Sequence, residues 1–155
     1  MTTTREYLQM AIELAYDNVI ERHGRPFGAV LVKDGAVLST GVNDIVATND
    51  PSMHAEMQAI RAAAAKLNSP RLDGCAMYAS GHPCPMCLSA MHMIGISQVY
   101  YAYSNDDAEP YGLSTARIYA EMAKPLSEQS IKIEYLPVRG DGENPYAAWQ
   151  RAGKA

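Results

Sequence analysis

His54-Ala55-Glu56 and, further along, Pro83-Cys84-Pro85-Met86-Cys87 are the two stretches of this 155-residue chain whose side chains could do chemistry together. A neutral imidazole and two thiolates form a borderline-soft donor set suited to zinc, and three protein ligands leave the fourth tetrahedral position to water. His54, Cys84 and Cys87 are therefore expected to hold one Zn2+ per chain. Bound zinc lowers the pKa of its water from ~15.7 to about 7, so a nucleophile becomes available at neutral pH. Glu56, two residues from a ligand, is placed to shuttle that water's protons.

Taken singly, each feature has a plainer explanation. A His at a helix start is usually a cap, a Glu in a first turn is usually a dipole partner, and a Cys-x-x-Cys could be a redox pair or half of a structural zinc knuckle. Their joint occurrence at the openings of two helices favours a catalytic metal site.

The elements that must carry these residues can be read from local pattern. Thr3-x-x-Glu6 resembles a capping box, and Leu8, Ile12, Ala15 and Val19 recur at helical spacing behind it. Residues 28–33 and 36–43 flank Asp34-Gly35 and predict a hairpin. A helix is expected from about Met53 to Leu67, a third strand over 75–80, and a helix over 86–94 between Pro85 and Gly95. A fourth strand over 98–102, a helix around 115–122, a fifth strand over 131–136 and a last helix near 146–151 complete the order. Asp106, Asp107 and Glu109 read as a solvated loop. After the hairpin, helices alternate with strands, which predicts a three-layer α/β/α domain with a mixed five-stranded sheet covered on both faces.

Composition narrows the class. At 155 residues, with 48% hydrophobic and 19% charged, the chain fits one soluble globular domain. No apolar run approaches the ~20 residues needed to span a bilayer, and the N-terminus carries no signal-peptide pattern, so a cytoplasmic location is expected. Two of three cysteines belong to the Cys-x-x-Cys, and Cys75 reads as a buried structural thiol. A net charge of −4 with no basic stripe disfavours a nucleic acid partner.

His-x-Glu with a later Pro-Cys-x-x-Cys is the pattern of zinc-dependent nucleobase deaminases. The chain accordingly resembles the cytidine deaminase-like superfamily, and within it the small bacterial guanine deaminases. The likeness runs through Arg25–Gly35, Asn49–Glu56, Pro83–Leu88 and Pro145–Trp149. It implies hydrolytic deamination of a free amino-substituted heterocycle, either a guanine-type purine or a related pyrimidine or triazine, with release of ammonia. It also implies that Asn43 hydrogen-bonds the substrate ring, that Phe27 lines the pocket, and that the protein is a homodimer with residues 145–155 exchanged between subunits. Read as residues alone, Asn43 could equally cap a strand end and Phe27 could be core.

The chain departs from those relatives at three places. His82 stands where they usually have Glu, and is a supporting group, a substrate contact or a solvent-facing residue. Ser114-Thr115 replaces an acidic pair that includes a purine-binding carboxylate, which makes Thr115 a candidate contact and Glu109 a candidate displaced carboxylate. Met93 aligns with an aromatic that packs on the base. Two other functions stay open: a transfer RNA adenosine deaminase, and a non-catalytic zinc module whose fourth ligand would be His82 or Cys75.

Overall fold

The computed structural model describes residues 1–153. Lys154 and Ala155, the end of the segment expected to exchange, lie outside the described residues. The chain divides into two compact units, Met1–Ala123 and a second that begins at Lys124.

Helix α1 (Thr4–Arg22) opens on a reciprocal cap. Thr3 Oγ1 accepts the Glu6 N–H at 3.2 Å and Glu6 Oε2 accepts the Thr3 N–H at 2.6 Å. Strands β1 (Gly28–Lys33) and β2 (Ala36–Val42) form the expected antiparallel hairpin. Asp34 and Gly35 at its tip both have positive φ, 51° and 75°, as a primed turn requires. A four-residue helix, α2 (Ile45–Thr48), follows; it is too short to leave a periodic signal.

Helix α3 (Ala55–Leu67) starts two residues later than its composition suggests, because His54 has extended φ/ψ and serves as the N-cap. Strand β3 (Cys75–Gly81) leads to helix α4 (Pro85–Ile94), which begins on Pro85 and ends at Gly95 with φ of 90°. Strand β4 (Gln98–Tyr103) precedes α5 (Asn105–Ala108), a 3-10 turn at Glu109–Tyr111 and α6 (Ala116–Met122). The acidic stretch expected as an open loop is thus helical: Ser104 caps it, and Asp107 Oδ2 accepts the Ser104 N–H at 2.8 Å.

The sheet has four strands, in the order β2-β1-β3-β4, and the expected fifth is absent from the described residues. Pairing is antiparallel except between β3 and β4, so the sheet is mixed as expected. Residues 131–136 are irregular. Ile131, Ile133 and Tyr135 alternate as in a strand but are exposed, and the described residues of their own unit offer a 3-10 turn (Leu126–Glu128) and helix α7 (Pro145–Arg151). Strand preference is a preference for packing beside a neighbouring strand, and the described residues of that unit hold none.

Helices cover both faces of the sheet. Val30 and Val32 of β1 pack with Tyr7 and Ala11 of α1, while Ala29 and Leu31 face Ala55, Ala59 and Ile60 of α3 and Met91 of α4. The four are buried, as suits a central strand. Tyr78 and Tyr100 stack at 5.0 Å, a packing role for tyrosines of β3 and β4. Among the described residues no helix is long and apolar enough to cross a membrane.

Close approach of backbone fixes the start of α3. A Cβ on Gly41 of β2 would lie 2.1 Å from Ala55 O and 2.7 Å from Ala59 N. Both are backbone atoms and cannot swing away. We expect Gly41→Ala to destabilise the fold by about 3 kcal/mol, the upper end of ordinary overpacking, read as a lowered denaturation midpoint. Gly140→Ala, where a Cβ meets nothing within 4 Å, serves as the control with a change within about 0.5 kcal/mol.

Candidate metal centre and cavity

Two helix N-termini meet at one point. His54 is the N-cap of α3 and Cys84 the N-cap of α4, both with extended backbone and neither with a side-chain cap hydrogen bond. An N-cap side chain normally accepts a hydrogen bond from the first turn. These two side chains turn toward each other. His54 Nδ1 lies 3.4 Å from Cys84 Sγ and 3.6 Å from Cys87 Sγ. The three donors form one group within 4.8 Å. Ligands at Zn–S of about 2.3 Å and Zn–N of about 2.0–2.1 Å would stand about 3.6 Å apart in a tetrahedron, so the trio is spaced for zinc.

Three donors leave one corner of such a tetrahedron open. Cys75 and His82, the candidates for a fourth ligand, are not in the group. Cys75 is buried in the core against α3 and α4.

The electrostatics suit a cation. A hydrogen bond from the Cys87 thiol, aided by His54, holds Cys84 down to about 4 against the opposing effect of burial. The Cys87 thiol is pushed up in turn, first by that shared proton and then by burial. Without metal the pair therefore holds one thiolate. His54 is raised, chiefly by its contact with Cys84. Glu56, 7% exposed, lies with Oε2 3.6 Å from Cys87 Sγ, and burial lifts its carboxyl above the ordinary range.

A cavity of about 280 Å³ opens onto the trio. Asn43, Phe27, His82 and Thr115, all read as candidate contacts from sequence, line it together with Arg25 and Ile118. Glu109 does not line it and sits exposed in the 3-10 turn. Met93 is also outside, 78% exposed on α4. Asn43 is buried; its Oδ1 accepts the Ile45 N–H at 3.2 Å, which leaves its NH2 for the cavity.

Three polar residues that sequence reading passed over hold these walls. Asn18, buried on the sheet-facing side of α1, donates through Nδ2 to Arg25 O and Asn43 O, each at 2.8 Å. It ties the entry of β1 to the exit of β2, and its place in line with Ala11 and Ala15 was a readable signal: a polar residue on an apolar stripe. Asn105 on α5 contacts both Thr115 and His82, and the Tyr119 hydroxyl of α6 donates to Pro83 O. Neither carries a local signal.

The pattern of the cytidine and deoxycytidylate deaminase zinc-binding region matches residues 1–103. A guanine deaminase of Bacillus subtilis is 40% identical over 93% of this chain and 92% of its own. The X-ray structure of guanine deaminase from Bacillus subtilis superposes with a TM-score of 0.87 at 39% identity, covering 97% of this chain and 95% of that one. A tRNA-specific adenosine deaminase of Aquifex aeolicus is 31% identical over 88% of this chain and 87% of its own.

Removal of one sulfur tests the centre. Cys87→Ala is expected to purify with little zinc by elemental analysis, whereas Cys75→Ala, altered outside the trio, keeps the wild-type content.

Proposed function

Because this chain belongs to the cytidine and deoxycytidylate deaminase family, we propose that it is a zinc-dependent hydrolytic deaminase of a free amino-substituted heterocycle of the guanine type. The observation that carries this reading is the open-cornered His54–Cys84–Cys87 trio with buried Glu56 beside it at the floor of a cavity. Its volume, about 280 Å³, lies near the lower end of small-ligand sites and suits one ring system.

Zinc bound by the trio supplies a Lewis acid that makes water nucleophilic at neutral pH. The chain's own residues do the rest. Glu56 takes a proton from the attacking water and passes it to the ring nitrogen beside the amine-bearing carbon. It then carries a proton to the departing amine, so that water and amine become a ring carbonyl and ammonia. A carboxyl raised by burial suits both halves of that traffic, since it accepts and releases a proton closer to neutral pH than a solvated one. Asn43 offers its NH2 to a substrate oxygen or ring nitrogen, and Phe27 supplies an apolar wall.

A transfer RNA substrate is the weaker reading. The net charge of −4 offers no electrostatic footprint for a polyanion, and similarity to guanine deaminase covers more of the chain at higher identity. A homodimer with exchange of the C-terminal segment is part of the same proposal. It is supported by the apolar side chains of Ile131, Ile133, Tyr135, Leu136 and Val138, which the described chain leaves exposed.

Ammonia release from zinc-loaded protein, screened over guanine, adenine, cytosine, isocytosine, creatinine, amino-triazines and the matching nucleosides, tests the assignment. Guanine is expected to lead, and failure of every free base would overturn it. Glu56→Gln is expected to keep its zinc while kcat falls on the order of 10²–10⁴-fold, the usual contribution of a positioned proton carrier.

A further inference from the structure

We infer that His82 and Thr115, set by Pro83 and Asn105, form a neutral hydrogen-bond-accepting wall that reads N–H groups of the substrate ring. This deepens the deaminase reading and rests on it. Glu56 is the sole carboxylate among the residues lining the cavity, and it faces the metal trio. Side-chain acceptors for N–H groups elsewhere on a substrate must then be uncharged.

The His82 ring is held on several sides. Its backbone N–H donates to Tyr103 O at 2.8 Å, continuing the β3–β4 pairing past the end of β3. Its ring stands edge-on to Tyr101 and Tyr119, with centroids 4.7 and 5.2 Å away. Nδ1 lies 3.0 Å from Pro83 O. A carbonyl can only accept, so a bare Nδ1 would oppose lone pair to lone pair; the proton belongs on Nδ1. Nε2 then keeps its lone pair, and among the described residues no protein group takes it. The ring lines the cavity, and that lone pair is what it offers.

Asn105 orients the second acceptor. The Thr115 backbone N–H can only donate, and it lies 3.0 Å from Asn105 Oδ1, which fixes which end of the amide is oxygen. Thr115 Oγ1, 3.4 Å from the same oxygen, directs its proton there, which leaves its lone pairs as what this cavity-lining hydroxyl offers a substrate. Asn105 Nδ2 consequently ends 3.3 Å from His82 Nδ1, a donor contact that favours the opposite tautomer. The Pro83 contact is shorter and prevails.

The chemical class follows. A free amino-oxo heterocycle has ring N–H groups for such a wall, and an N-alkylated ring has carbon there. The amide NH2 of Asn43 supplies the complementary donor.

Long-range 1H–15N spectra of the zinc-loaded protein read the tautomer directly. Only four histidines are present, and His82→Phe identifies the signal. Protonated Nδ1 with bare Nε2 is expected; the reverse pattern overturns the assignment. Kinetics with guanine and its singly N-methylated forms supply the functional arm. At least one methyl position should cost wild-type protein about tenfold or more in kcat/KM, the size of a lost hydrogen bond. His82→Phe should raise KM for guanine by a similar factor with kcat little changed, and erase that discrimination. His82→Gln, with a carboxamide oxygen, should recover most of it. Asn105→Ala should raise KM at unchanged zinc content and unchanged thermal midpoint. Equal discrimination in wild type and His82→Phe would refute the reading wall. Absence of ammonia release from wild type would count against the deaminase reading, while the tautomer is still decided by the spectrum.

Discussion

Convergence of two helix N-termini on one point is the constraint around which this molecule is arranged. Each terminus presents unsatisfied N–H groups and the positive end of a dipole. Bringing α3 and α4 together is unfavourable unless negative charge lies between them, and a metal ion would add to the positive side. The shared proton of Cys84 and Cys87 leaves a thiolate at the junction, and Glu56 brings a carboxyl from the first turn of α3. Cation and anions are thus complementary in one place. His54 and Cys84, at N-cap positions, meet at the junction.

Such a junction demands a scaffold that holds two helix ends without slack. The central strand β1 anchors it, with α1 on one face and α3 and α4 on the other. Contact between Gly41 and the backbone of Ala55 and Ala59 sets how closely α3 lies on the sheet, and hence where His54 and Glu56 come to rest. Asn18 does the equivalent for the loops that carry Arg25 and Asn43. These are rigid devices: close-packed backbone and buried amides. Catalytic geometry benefits from both, because small displacements of positioning groups lower rates steeply.

Legibility in the sequence followed the range of the interaction. Asp34-Gly35 announced its hairpin because a primed turn needs positive φ at both residues. Pro85 and Gly95 bracketed α4 because one residue fits a first helical turn and the other a left-handed cap. Helices α2 and α5 are about one turn long and carry no period to detect. Residues 131–136 misled for a different reason. Alternation of Ile131, Ile133 and Tyr135 reports a face that needs covering, and it says nothing about whether a neighbouring strand is there to form the ladder.

The sequence by itself determined the donor set and the class of reaction, because ligand chemistry depends on residue type and on spacing within a single helical turn. It also placed Ser114 and Thr115 where the relatives carry an acidic pair. Only the tertiary structure decided how the walls of the cavity are held. Asn18, Asn105, Tyr119 and the Pro83 carbonyl come from separate elements, and each acts through the direction of a hydrogen bond. Direction is a property of folded neighbours, so no local pattern along the chain encodes which lone pair faces the cavity.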